Sequence, residues 1–238
     1  MQVRPLRLAG VHARLSAGAY RVEVCQVKTA VGREIKLLTF ALAALLLLPR
    51  LAWAHHFMGE QPPQTFTQGF LSGLGHPVIG VDHAAFIIAA GFLLAPIGRG
   101  MWVVLALILG SLLGAALHLA GFSLPAGEVA VALSVILAGG LVMSGRAIPL
   151  SWLAGGLALA GLLHGHAYAE SIFGAEPTPL IAYLAGFCLV QLGIASAALL
   201  THRRLIAASA NRARPVSSAL GAAVGAIGVI FLAGNLVA

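Results

Sequence analysis

His76, Asp82 and His83 stand within eight residues, His-Pro-Val-Ile-Gly-Val-Asp-His, in a stretch otherwise apolar enough to cross a membrane. Keeping one ionisable side chain at bilayer depth costs about 2.5–3.5 kcal/mol on insertion scales, so such a group marks a functional site by default. Two imidazoles and a carboxylate form a ligand set for a transition-metal cation. The nitrogens suit Ni, Cu, Co or Zn, and the carboxylate offsets half the charge of a dication that is prohibitively costly to bury bare. On a continuous helix His76 and His83 are about 10 Å apart along the axis, too far to share an ion. Pro77, however, removes a backbone donor, and Gly73, Gly75 and Gly80 weaken the same stretch. The helix is therefore expected to break near Pro77, which brings His76 towards Asp82 and His83 and frees carbonyls as further ligands.

A second cluster follows in His164-Gly-His166-Ala-Tyr168-Ala-Glu170. At 100° per residue His164 and Tyr168 share one helix face, and His166 and Glu170 share the other, so only one pair can face the first helix. His164 is the deeper ligand candidate, whereas His166 and Glu170, near the outer end, are read as an entry site. His118 is read as interfacial rather than as a ligand, and Gln191 as a pathway or interhelical group.

The elements that must position these groups are membrane helices. A 238-residue chain that is 60% hydrophobic and 9% charged, with a mean hydropathy of +0.97, has too little polar surface to cover a soluble domain. The formal charge of +7 does not point to nucleic acid, because eight of the fourteen basic residues precede position 55. The rest of the chain holds Arg99, Arg146, Arg203, Arg204, Arg212 and Arg214 against Glu60, Asp82, Glu128, Glu170 and Glu176, a net of +1.

Residues 33–54 read as a cleaved secretory signal: Arg33 and Lys36 form the charged region, Leu37 to Leu48 the apolar one, and Ala52-Trp53-Ala54 the cleavage site. Residues 1–32, neither apolar nor patterned, are expected to be an unstructured upstream extension. Cleavage leaves His55 first, and its α-amine with His56 forms an amino-terminal chelate. From 55 to 238 six helices are expected, near 67–96, 101–121, 127–145, 151–171, 179–201 and 215–237, an all-α transmembrane bundle. All six Arg fall in the loops at 97–100, 146–150 and 202–214, which the positive-inside rule places in the cytoplasm. Both mature termini are then periplasmic. The glycine stripes Gly110/Gly114, Gly155/Gly156/Gly161 and Gly221/Gly225/Gly228 are read as close-packing surfaces without chemistry. Cys188 is read as a small core hydrophobe.

From residue 55 to 238 the chain resembles the HupE/UreJ family of bacterial membrane proteins: a signal, a His-rich mature end, six spans, and the pattern His-x5-Asp-His at His76, Asp82 and His83. The family's helix-4 motif, approximately Phe-His-Gly-x-Ala-His-Gly-x-Glu, is matched at His164, Gly165 and Ala167. Leu163 replaces the Phe, Tyr168 the second His, Ala169 the Gly and Ser171 the Glu, while Glu170 comes one position early. The resemblance implies uptake of nickel, or in some branches cobalt.

The expected function is thus a permease of the bacterial inner membrane, not an enzyme. It moves nickel or cobalt inward through His76, Asp82, His83 and His164, with His55, His56, His166 and Glu170 as capturing groups. Its partners are the metal ion as cargo and the lipid bilayer, with self-association left open and no resident cofactor. No Walker-type phosphate loop occurs, so the chain does not hydrolyse ATP. The competing readings are a b-type haem protein using histidine pairs as axial ligands, and an intramembrane metalloenzyme.

Overall fold

The computed structural model describes residues 62–237; the expected extension, signal segment, His55 and His56 lie outside the described residues. Within them the chain is helical: α1 (Phe66–Ile79), α2 (Val81–Leu94), α3 (Gly100–Leu119), α4 (Gly127–Ser144), α5 (Leu150–Ala169), a 3₁₀ turn (Glu170–Ile172), α6 (Pro177–Ala208) and α7 (Ala210–Val237). The first expected helix is therefore two. The 14-residue α1 and α2 are each about 21 Å long, too short to cross the hydrocarbon layer alone. Their axes turn through 77° between Ile79 and Val81.

The break falls at Gly80 rather than at Pro77, which lies inside the last turn of α1. Pro77 costs that turn one hydrogen bond, but Gly80 supplies the extended backbone (φ −68°, ψ 97°) that redirects the chain. The side of Gly80 where a methyl would project is filled by the ring of His83. At the amino end, α1 is fixed by a capping box in which the Thr65 hydroxyl accepts from the Gln68 amide at 3.2 Å and Gln68 Oε1 accepts from the Thr65 amide at 3.2 Å.

α3, α4, α6 and α7 are each long and apolar enough to cross a membrane, and the bent α1–α2 pair makes five candidates if counted as one span. The 20-residue α5 has the length as well, but His164 and His166 lower its hydropathy. The protein is a multi-pass membrane protein. Leu109, Leu113, Leu137, Leu159, Ile181 and Leu189 are exposed along the flanks, where lipid rather than water is the favourable solvent. Trp102 and Trp152 are exposed on the first turns of α3 and α5, the amphipathic position that indoles take at a membrane surface.

Glycines set the helix pairs. Gly110 and Gly114 of α3 lie against the carbonyls of Ala158 and Leu162, while Gly161 and Gly165 of α5 lie against those of Leu107 and Ser111, so the two helices run parallel in close contact. Gly69 and Gly73 pack α1 parallel to α6 on the carbonyls of Pro179 and Tyr183. Gly139 meets Gly221 and Gly225 where α4 and α7 run antiparallel. Gly155 and Gly156, expected to pack, face open space instead. α2 runs through the centre and packs against α4, α6 and α7. Its Ile87, Ala89, Ala90 and Leu94 are fully buried.

The expected loop at 202–214 is helical apart from Ser209. Helices do not have to end where their apolar stretch ends, and the arginines here find backbone partners. Arg203 donates to the carbonyls of Ala95 and Ile97, and Arg214 to those of Met143 (3.0 Å) and Ser144 (2.9 Å). Arg214 thereby satisfies the last carbonyls of α4, and Arg203 the Ala95 carbonyl just past α2. His202 ties the same end together, with Nδ1 3.0 Å from the Phe92 carbonyl and Nε2 2.8 Å from Ser217 Oγ.

Candidate metal centre

Because α1 and α2 meet at a sharp angle, His76 at the end of one and His83 at the start of the other come together, with ring centroids 6.0 Å apart. α5 supplies the third imidazole: His83 Nδ1 lies 2.8 Å from His164 Nδ1. Both rings are almost wholly buried, as is Asp82 (1% exposed) in the first turn of α2. Phe86, one turn along from Asp82, stacks on the His164 ring at 4.2 Å. Tyr168 closes the cluster, 4.6 Å from the His83 ring and 5.3 Å from that of His76.

The surrounding hydroxyls assign the protons. Ser134 of α4 donates to the Val131 carbonyl at 2.7 Å, so its oxygen accepts from His164 Nε2–H at 2.8 Å. The lone pair of His164 is then on Nδ1, the atom aimed at His83. Tyr183 of α6 donates to the Tyr168 carbonyl at 2.7 Å, and Ser171 donates into the same group at 3.0 Å. Ser171 Oγ consequently accepts from His76 Nδ1–H at 3.0 Å, which leaves the His76 lone pair on Nε2. Two imidazoles are thereby held in the tautomer a cation needs, each by a hydroxyl on a different helix.

Two buried oxygens in this region are unsatisfied: Asp82 Oδ1 and Tyr168 Oη have no hydrogen-bond partner among the described residues. The Asp82 charge acts on both His164 and Tyr168. A buried carboxylate oxygen without a donor costs several kcal/mol, which a cation among these rings would offset. Two nitrogens bound about 2.1 Å from one ion at right angles lie about 3 Å apart, close to the spacing of the His83–His164 pair. A haem does not fit between those two rings, because axial nitrogens on opposite sides of one iron are about 4 Å apart with the macrocycle between them.

The expected split of α5 into two faces is observed. His164, Tyr168 and Ser171 face α1 and α2, whereas His166 and Glu170 face α3. There they meet His118, whose ring centroid is 4.5 Å from that of His166. One ligand atom from each of His118, His166 and Glu170 lies within 4.8 Å of the others. His118 is half-buried at this meeting point, and the parallel α3–α5 contact that joins it to His166 has no local sequence signal. Sequence reasoning also passed over Ser134, an ordinary hydroxyl in an apolar helix, and treated Ser171 only as a departure from a motif, while it placed Tyr168 on the His164 face without a role. Gln191 is an interhelical group: its Oε1 accepts from Ser111 at 3.1 Å, while Nε2 has no partner among the described residues.

The family model described as HupE / UreJ protein matches residues 43–231. The chain belongs to the HupE/UreJ family. This is a transporter-type membrane family related to nickel and cobalt transport. The chain is 34% identical over 171 residues to Protein HupE of Rhizobium leguminosarum bv. viciae, covering 68% of this chain and 83% of that protein. No solved structure matches.

Proposed function

We propose that this protein is a permease that imports a divalent transition-metal cation, nickel first and cobalt next, across the bacterial inner membrane. The observation that carries the reading is the buried Asp82 carboxylate, whose Oδ1 has no hydrogen-bond partner among the described residues, next in the chain to His83 of the His83–His164 pair and at a bend between two half-length helices. Bent backbone at membrane depth is tolerated where protein or a water-filled cavity surrounds it, and discontinuous helices are how transporters build ion sites. His76, Asp82, His83 and His164 replace the ion's water in passage, and Asp82 offsets half its charge.

Six passes follow if α1–α2 and α5 each count as one. Chain direction then alternates, which makes α1 and α6 parallel, α3 and α5 parallel, and α4 and α7 antiparallel. The glycine contacts support that alternation. The Arg-bearing turns face the cytoplasm and both mature termini the periplasm. His55 and His56 capture the ion outside, with His166 and Glu170 as entry groups. The ion moves by facilitated or secondary transport.

Nickel accumulation by cells expressing the wild type, Asp82→Asn or His83→Ala tests this reading. Both substitutions abolish accumulation while the protein still reaches the membrane. Unchanged accumulation in Asp82→Asn refutes the role of that residue and the pathway built on it.

A further inference from the structure

His118, His166 and Glu170 meet on the face of α5 turned away from the deep cluster. We propose that they form a second binding site for a divalent transition-metal cation, separate from the passage site and open to water at the end of the α3–α5 pair. The ion class rests on the transport reading above; the site itself rests on the geometry that follows.

The contact begins with a glycine. Gly114 lets α3 approach the Leu162 carbonyl and the His166 amide so closely that a methyl has no room. His118 lies one turn further along the same face of α3, and its ring meets that of His166 edge-on at 86°. His166 Nε2 is 2.8 Å from the Phe122 carbonyl, which can only accept. That bond fixes the tautomer, leaving Nδ1 with the lone pair, and a backbone carbonyl holding one ring nitrogen is the usual support of a metal-bound histidine.

Glu170 contributes the charge. Two imidazoles and one carboxylate make a three-point set that leaves coordination positions for water. The exposure of the three residues is graded: His166 is buried, His118 half-buried and Glu170 exposed. An ion can therefore arrive with part of its water shell, and the exposed Glu170 side chain can swing to close the 4.8 Å spread to the spacing of about 3 Å found between ligands of one ion.

This site adjoins the passage site. Glu170 opens the 3₁₀ turn, and the next residue, Ser171, holds His76 by the 3.0 Å bond of the deep cluster. One peptide bond thus separates a ligand of the outer site from a support of the inner one. The outer site is a loading site at the mouth of the pathway.

Cobalt(II) titrated into the purified full-length protein in detergent, with bound metal counted by elemental analysis, decides the matter. His118→Ala and Glu170→Gln, both at accessible positions, each bind one ion fewer than the wild type. In cells both raise the external nickel concentration for half-maximal uptake several-fold. Wild-type stoichiometry in both variants overturns the outer site. If Asp82→Asn alone loses an ion, the outer site falls and the transport reading stands. If Glu170→Gln loses an ion while Asp82→Asn retains full stoichiometry and uptake, the outer site stands and the passage reading falls.

Discussion

Nδ1 of His83 lies 2.8 Å from Nδ1 of His164, although 81 positions separate the two residues in the chain. Without an ion, one of these nitrogens donates its proton to the other. With one, His83 moves its proton to Nε2 and both lone pairs converge on the cation. The pair therefore acts as a unit, and residues that act as a unit are strongly non-additive. We expect His83→Ala and His164→Ala each to abolish nickel accumulation and the double variant to be no worse than either. Two partial losses that multiply in the double variant would separate the rings functionally.

Ser134 fixes which nitrogen of His164 carries the lone pair, through contacts of 2.7 and 2.8 Å. Removing a group that orients a metal ligand costs about 10- to 100-fold in affinity. Ser134→Ala should therefore weaken cobalt binding to the purified protein by about tenfold or more. Ser134→Thr, which keeps the hydroxyl, should recover most of it, an outcome that loss of packing alone would not give.

Tyr168 buries a hydroxyl with no partner among the described residues, and an unsatisfied buried hydroxyl destabilises by about 1–3 kcal/mol. Tyr168→Phe keeps the ring contacts with His76 and His83 and removes that oxygen. Its melting temperature should equal or exceed that of the wild type while its affinity for cobalt falls. A stable variant with wild-type affinity would show that the phenol oxygen takes no part in holding the ion.

Imidazoles bind metal only when neutral. Protons and the ion compete for the same lone pairs, so affinity is highest at alkaline pH and declines as the pH falls. Cobalt affinity of the purified protein measured from pH 8 to pH 5 should fall towards the acid end. A flat profile would mean that carboxylates and carbonyls alone hold the ion.

The glycines divide into two classes with opposite expected outcomes. A methyl on Gly165 collides with the Ser111 carbonyl, and overpacking of this kind costs about 1–3 kcal/mol. Gly155 faces open space, where Ala is the better helix former. Thermal unfolding in detergent should show Gly165→Ala lowered and Gly155→Ala unchanged or raised.

Much of this was legible in the residues. Apolar stretches of about 20 residues have few structures available in lipid, so the helical class and most helix positions followed from composition. The helical period divided α5 into a His164/Tyr168 face and a His166/Glu170 face without any tertiary information. The first helix was read as broken because Pro and Gly crowd the residues around His76. The break comes three residues beyond Pro77, since the loss of one hydrogen bond at Pro77 is tolerated and the extended backbone at Gly80 is what turns the chain. The arginine-rich segment was read as a loop because hydropathy registers only the polarity of Arg203 and Arg214, not the carbonyls that receive them.

By itself, then, the sequence determined that ionisable groups are kept within helices of a membrane chain, and which of them share a helix face, because both follow from side-chain chemistry and a fixed 3.6-residue period. Only the tertiary structure decided which helices meet. Glycine contacts bring α3 against α5 and so join His118 to His166, and the 77° bend with the crossing of α5 brings His76, His83 and His164 together. Helix pairing in lipid depends on surface shape matched between segments far apart in the chain, and no local pattern carries that information.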